Sequence, residues 1–166
     1  MTVKEALTAW GVTPSADYTG EETADDFILG IQTETTQTSP ENYTVCQVSV
    51  SEHSAALNAS TSDKQYIRSG TNTLRTSVQR TFSVSGDRFA GDPFQNFVLS
   101  HKIRYGIGSD VKVPYVWFSV RTGKGEKGTA MINVTADASG GAGNDAGFAC
   151  ELRSTGRPEE YTYSAS

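Results

Sequence analysis

The sequence predicts a mainly β fold, a β-sandwich or part-barrel flanked by one α-helix, and three observations carry that expectation. Several segments alternate apolar and polar residues with period two, most cleanly Thr76 to Gly86. One mid-chain segment, Asp92 to Gly106, combines an apolar helical stripe with start and stop signals. Ser and Thr together outnumber all Asp, Glu, Lys and Arg, and the apolar share is 36 %. Such a composition suits thin β layers whose outward faces carry hydroxyls. The 166 residues are expected to form one domain, 1–166.

Thr2 and Glu5 have the spacing of a capping box, and Ala6, Leu7, Ala9 and Trp10 follow as a short helix ended by Gly11. Residues 12 to 26 lose periodicity. Pro14, Gly20 and the acidic cluster Glu21, Glu22, Asp25 and Asp26 read as an exposed loop, so that 1–26 is an N-terminal arm. Phe27 to Thr36 reads as a half-buried strand with Phe27, Leu29 and Ile31 inward; Tyr43 to Ser51 reads as its hairpin partner, with Cys46, Val48 and Val50 on one face. Residues 52–75 are polar and weakly patterned and are expected to be a long loop, of the kind that is disordered or ordered by a neighbour.

In Thr76 to Gly86, Val78, Phe82 and Val84 face one way. Ser77, Gln79, Thr81, Ser83 and Ser85 form a hydroxyl ladder on the other side. A helix is expected over 92–105, capped by Asp92, started by Pro93, striped by Phe94, Phe97, Val98 and Ile103, and stopped by Gly106. Asp110 to Arg121 is apolar on both sides, which implies cover on both faces, and Pro114 within it suggests an edge or a bulge. Gly123 to Gly128 reads as a turn, and Thr129 to Asp137 as a strand with Ala130, Ile132 and Val134 inward. After a small-residue loop over 139–145, Gly147 to Arg153 closes the sheet with Phe148, Cys150 and Leu152 inward, and 156–166 is a polar and aromatic tail. The total is six or seven strands.

Charge and motifs narrow the function classes. The net charge is −5 with no long basic run, a balance that argues against tight nucleic-acid binding. The first residues have no apolar signal core, and no stretch approaches transmembrane length, so neither a secretory leader nor membrane insertion by this chain is expected. Cys46 and Cys150 read as buried free thiols, with a disulfide as the alternative. The sequons at Asn42, Asn58 and Asn133 read as chance in a Thr-rich chain. Gly123 to Gly128 matches G-x-G-x-x-G, but the residues after it read as a strand, whereas a dinucleotide site needs a helix there. His53 and His101 have no metal-ligand spacing to Cys or to each other, and no nucleophile signature occurs. The expectation is a protein that is not an enzyme and holds no cofactor or metal.

From Lys64 onward the order of features resembles the tail tube, or major tail, proteins of long-tailed, non-contractile bacteriophages. The carrying residues are Thr81 to Phe89, Gly91-Asp92-Pro93 opening the helix, and Tyr115-Val116-Trp117-Phe118. They continue with the 123–128 turn, Ile132 to Asp137, and Pro158 to Tyr163. The resemblance implies a β-sandwich flanked by one helix. It implies that subunits close into hexameric rings with a continuous inner β-barrel, and that the rings stack into a tube through which DNA passes on ejection. It further implies self-assembly in the host cytoplasm, location in the virion, and tape measure, terminator and tail-tip proteins as partners. On that basis Ser77, Gln79, Thr81, Ser83 and Ser85 are candidate lumen residues, since a lumen lined with cations would hold DNA; the alternative for this face is an ordinary solvent-facing side of a sheet. Trp10, Tyr18, Tyr66, Ile67, Tyr161 and Tyr163 are candidate inter-subunit contacts, and the 52–75 loop a candidate inter-ring contact. The alternatives are the tube subunit of a contractile tail or injection device, and a monomeric β-sandwich decoration or receptor-binding module.

Overall fold

The capping box at the N-terminus forms. Glu5 N–H donates to the Thr2 hydroxyl at 3.3 Å and the Glu5 carboxylate accepts from Thr2 N–H at 2.9 Å, which starts α1 (Val3–Trp10). Gly11 ends it in the left-handed region at φ +63°, a conformation that costs an L side chain strain. In the computed structural model, which describes residues 1–164, α1 lies against a sheet rather than standing off as an arm: Val3, Ala6 and Leu7 are buried.

The sheet is a single antiparallel layer of eight strands. They are β1 (Phe27–Ile31), β2 (Thr44–Val45), β3 (Val50–Tyr66), β4 (Gly70–Asp87), β5 (Lys112–Ser119), β6 (Lys124–Ser139), β7 (Gly147–Ser154) and β8 (Glu159–Thr162). The order is β2-β1-β5-β6-β7-β4-β3, with β8 pairing β6 beyond the end of β7. The fold is therefore mainly β as expected: one hydrogen-bonded sheet, not closed in the single chain, that curls far enough for Phe82 of β4 to meet Tyr115 and Trp117 of β5 at 5.2 and 5.1 Å between ring centroids. Three segments named above as turns or loops are strands. Residues 50–66 and 70–87 form one long hairpin in place of a 52–75 loop. Residues 125–128 are already paired on β5, with the turn before β6 at 120–122. Of the 156–166 tail, residues 159–162 fold back as β8, and 165–166 lie outside the described residues.

Two cores lie on opposite faces of this layer. On one face Leu29, Ile31, Phe82, Val84, Tyr115, Trp117, Phe148 and Leu152 meet Phe94, Val98 and Ile103 of the helices. On the other, Ile28, Val45, Val116, Phe118 and Tyr161 meet α1. β5 feeds both by alternation, which is why its sequence is apolar on both sides. β1 does the same over a shorter span than expected, with Ile28 and Gly30 buried opposite Leu29 and Ile31. Its partner β2 has only two residues.

The expected 92–105 helix is two helices, α2 (Pro93–Val98) and α3 (His101–Tyr105), separated at Ser100, whose backbone is extended. Spacing explains the break. In one continuous helix Ile103, five residues after Val98, would point about 140° away from it. The extended residue re-aims Ile103 into the core, where it is 4 % exposed. Pro114 lies within β5, between β1 and β6, and neither at an edge nor at a bulge. β1 ends opposite Tyr115, and the Pro114 carbonyl accepts from Gln32 N–H at 3.0 Å just beyond it. The missing N–H therefore falls where the neighbouring strand has stopped. In the 123–128 stretch, a Cβ at Gly125 would come within 2.0 Å of the Trp117 carbonyl. The glycine there serves close strand approach, not a phosphate.

Candidate assembly surfaces

The hairpin is the largest feature outside the cores. β4 pairs β7 only over Thr81–Asp87, so residues 70–80 and their partners 57–66 have no third strand. This outer part extends roughly 30 Å at about 3.3 Å per residue, and almost every residue in it is exposed. Its sequence continues the body's pattern as far as Val78: the face that carries Phe82 and Val84 into the core carries Val78 into solvent, 42 % exposed, and the register shift between Ser60 and Thr61 then turns Leu74, 63 % exposed, to the opposite face. Leu57, Tyr66 and Ile67 add 63 %, 49 % and 93 % exposure. Val78, expected inward, thus sits beyond the end of the core. A lone two-stranded ribbon is marginal in water, and its bare edges invite pairing.

The root of the arm is held by a buried amide. Gln95 donates through Nε2 to the Val48 and Asp87 carbonyls at 3.1 and 3.0 Å, and its Oε1 accepts from Phe89 N–H at 2.8 Å and from Arg88 at 3.1 Å. The cap residue Asp92 accepts from Gln95 N–H at 3.3 Å, and burial pushes its carboxyl pKa up, opposed by those backbone N–H groups. The sequence marks Gln95 only as part of a helix start; its role as a tie appears with the fold.

A second surface is the far side of β6, β7, β4 and β3. Neither core covers it, and cross-strand register places Ser54 beside Ser83, Ser83 beside Glu151 and Glu151 beside Asn133. The predicted ladder lies here. Ser83, Gln79 and Ser77 are exposed and Ser85 is half-buried, but Thr81 is buried and accepts from Asn58 Nδ2 at 2.8 Å. Arg153 on this face is ion-paired with Glu151.

The predicted contact residues scatter. Trp10 is 37 % exposed on α1, and Tyr66 and Ile67 form the arm tip. Tyr18 is half-buried with the Arg121 guanidinium 5.9 Å above its ring. Tyr161 is buried in the chain's own second core, and Tyr163 stacks on Phe118 at 5.6 Å. Cys46 and Cys150 are buried free cysteines of the first core. Burial pushes the Cys150 thiol pKa up to about 12 and the Cys46 thiol well above its usual value, with Cys150 and Asp92 adding to the latter. His53 packs edge-on against Trp117 with Nε2 3.0 Å from the Ala24 carbonyl, and His101 lies against Tyr105. Among the described residues no group of three or more His, Cys, Asp and Glu is placed to hold a metal, and no helix is long and apolar enough to cross a membrane.

No family model and no curated protein matches this chain. Solved structures do. A chain from the tail of an empty gene transfer agent particle, refined helically with C6 symmetry, superposes with a TM-score of 0.57 at 14 % identity. The match covers 86 % of this chain and 100 % of that one. The fold is shared with that tail chain. A chain from the virion of a native gene transfer agent particle matches over the same shares at 14 % identity, with a TM-score of 0.55. In this chain the fold carries both surfaces described above: an arm that projects from the sheet and a bare polar sheet face behind it.

Proposed function

We propose that this chain is a structural virion protein that assembles into the tail tube of a phage or phage-like particle, as hexameric rings that stack. One observation carries the proposal: the apolar face of β4 runs past the end of its own core, through Val78 and across the hairpin to Leu57, onto an arm that has nothing to cover it. A chain pays for such exposure in solubility unless another copy covers it. The likeness to a tail with C6 symmetry supports six copies around a hole, a closure that removes the open edges at β2 and β3.

The bare face of β6, β7, β4 and β3 then lines the lumen, with Ser77, Gln79, Ser83 and Ser85 displayed and Thr81 set behind Asn58. Its one arginine among the named residues is neutralised by Glu151, so DNA slides past without being held. The chain works by assembly and not by catalysis. Tape measure protein occupies the growing tube, terminator and tip proteins close its ends, and the subunits assemble in the host cytoplasm before residing in the virion.

The test is direct. The purified protein is concentrated and viewed by negative-stain microscopy. Rings or hollow tubes are expected. A protein that stays monomeric at every concentration rejects the proposal in favour of a decoration or receptor-binding module.

A further inference from the structure

The arm leaves the body over a groove of about 850 Å³, bounded by the free edge of β4 and by the turn from β7 into β8. Arg75, Arg80 and Arg157 line it together with Leu57 and Val78. Arg80 is paired with Glu126 at 2.6 Å. Arg75 and Arg157 are exposed and, among the described residues, have neither an ion pair nor a side-chain hydrogen bond. The groove is cationic, with an apolar wall.

The rest of the sequence supplies a complement. No Lys or Arg occurs between Lys4 and Lys64, a stretch with ten acidic residues. After residue 63 the balance reverses, with thirteen Lys and Arg against nine Asp and Glu. The most acidic part of that stretch is the loop over 17–25, exposed except for half-buried Tyr18. Glu22 and Asp26 are engaged by Ser119 and Arg121, but Asp17, Glu21 and Asp25 have no side-chain partner among the described residues. The loop is held open by its backbone: Ser15 N–H donates to the Arg121 carbonyl at 2.8 Å, the Tyr18 hydroxyl donates to the Glu21 carbonyl at 2.9 Å, and the Ala24 carbonyl meets His53. A loop already set in place loses little freedom on docking.

We infer that the groove at the root of the arm receives the acidic 17–25 loop of a second copy of this chain. The inference rests on the tube reading and specifies one of its contacts. The groove and the loop are separate surfaces of the chain, so a copy whose loop fills one neighbour's groove still offers its own groove to the next, as head-to-tail assembly requires. The arm supplies area; the groove and loop supply register and partner choice.

The test is a charge swap. Arg75→Glu with Arg157→Glu alters two exposed side chains, so the circular dichroism spectrum and thermal midpoint stay those of the wild type. The protein concentration needed for rings or tubes, read by sedimentation and negative stain, rises about tenfold or more. Asp17→Lys, Glu21→Lys and Asp25→Lys together give the same defect, and both sets on one chain restore assembly. Assembly of the unmodified protein weakens from about 0.05 to about 0.5 M salt as screening shortens. Assembly of the arginine variant at the wild-type concentration overturns this inference and leaves the tube reading standing, and so does a combined variant as defective as either parent. A wild type that forms neither rings nor tubes overturns both.

Discussion

Gln95 joins three separate carbonyl and amide partners at the root of the arm through a fully buried side chain. Gln95→Leu leaves the Val48 and Asp87 carbonyls and the Phe89 N–H without their partner. Each buried group so orphaned costs about 1–3 kcal/mol. The expected loss is about 2–4 kcal/mol, read as a lower urea midpoint with an unchanged slope. The buried thiols give a pH signature. A thiol whose pKa is raised by folding is protonated in the native state, so its contribution is fully present below the unfolded pKa and fades as pH rises above it. With Cys150 pushed up to about 12 and an unfolded thiol near 8.5, stability falls between about pH 9 and pH 12. At pH 10 the Cys150 contribution to that fall is about 1–2 kcal/mol. Denaturant titrations at pH 7.5 and 10, on the wild type and on Cys150→Ala, check it: the alanine variant loses stability overall but shows a shallower pH dependence. Both thiols were legible in the sequence as buried, because apolar neighbours flank them, although only Cys150 lies in a strand and Cys46 falls just past β2. The Gln95 tie was not, because its partners are backbone groups more than forty residues apart in the case of Val48 and Gln95.

Elements with one buried face were readable and elements with none were not. The capping box, the Gly11 stop, β5, β7 and the inward set of β6 all came from burial or from local backbone chemistry, which sequence records directly. The stretch 52–75 was read as a loop because period-two alternation reports one-sided burial, and a ribbon in solvent on both faces has nothing to report. Its extended state is set instead by cross-strand pairing along β3 and β4. The 92–105 helix was read as continuous because its caps are good at both ends. The five-residue spacing from Val98 to Ile103 was the available sign of a break. One consequence is specific to the arm. Its residues add little to the body's cores, so joining Leu57 to Arg80 through an Asn-Gly turn shifts the thermal midpoint by no more than a few degrees, equivalent to about 1 kcal/mol. The same change abolishes rings and tubes by negative stain. A deletion that unfolds the body, or one that still assembles, contradicts the division of labour between body and arm.

At the scale of the whole molecule, the two faces of the sheet differ in a way a lone chain does not require. One face is closed by α2 and α3 and part of the other by α1, yet the far side of β6, β7, β4 and β3 is left polar and uncovered. An ordinary solvent face tolerates any small polar or charged change. A lumen face does not tolerate a cation, because the same position recurs in every subunit of every ring and each added phosphate contact strengthens the hold on DNA. Ser83 is the right probe: it is exposed, whereas a lysine at Thr81 would also break the contact with Asn58. Particles built with Ser83→Lys should assemble normal tubes and release DNA more slowly, with the deficit shrinking as salt rises, while Ser83→Asp releases at the wild-type rate. Each lysine that meets a phosphate steepens the salt dependence by roughly one unit in the logarithmic plot. Equal release rates for the two variants would place this face on the outside of the tube and leave the hydroxyl ladder as plain solvent surface.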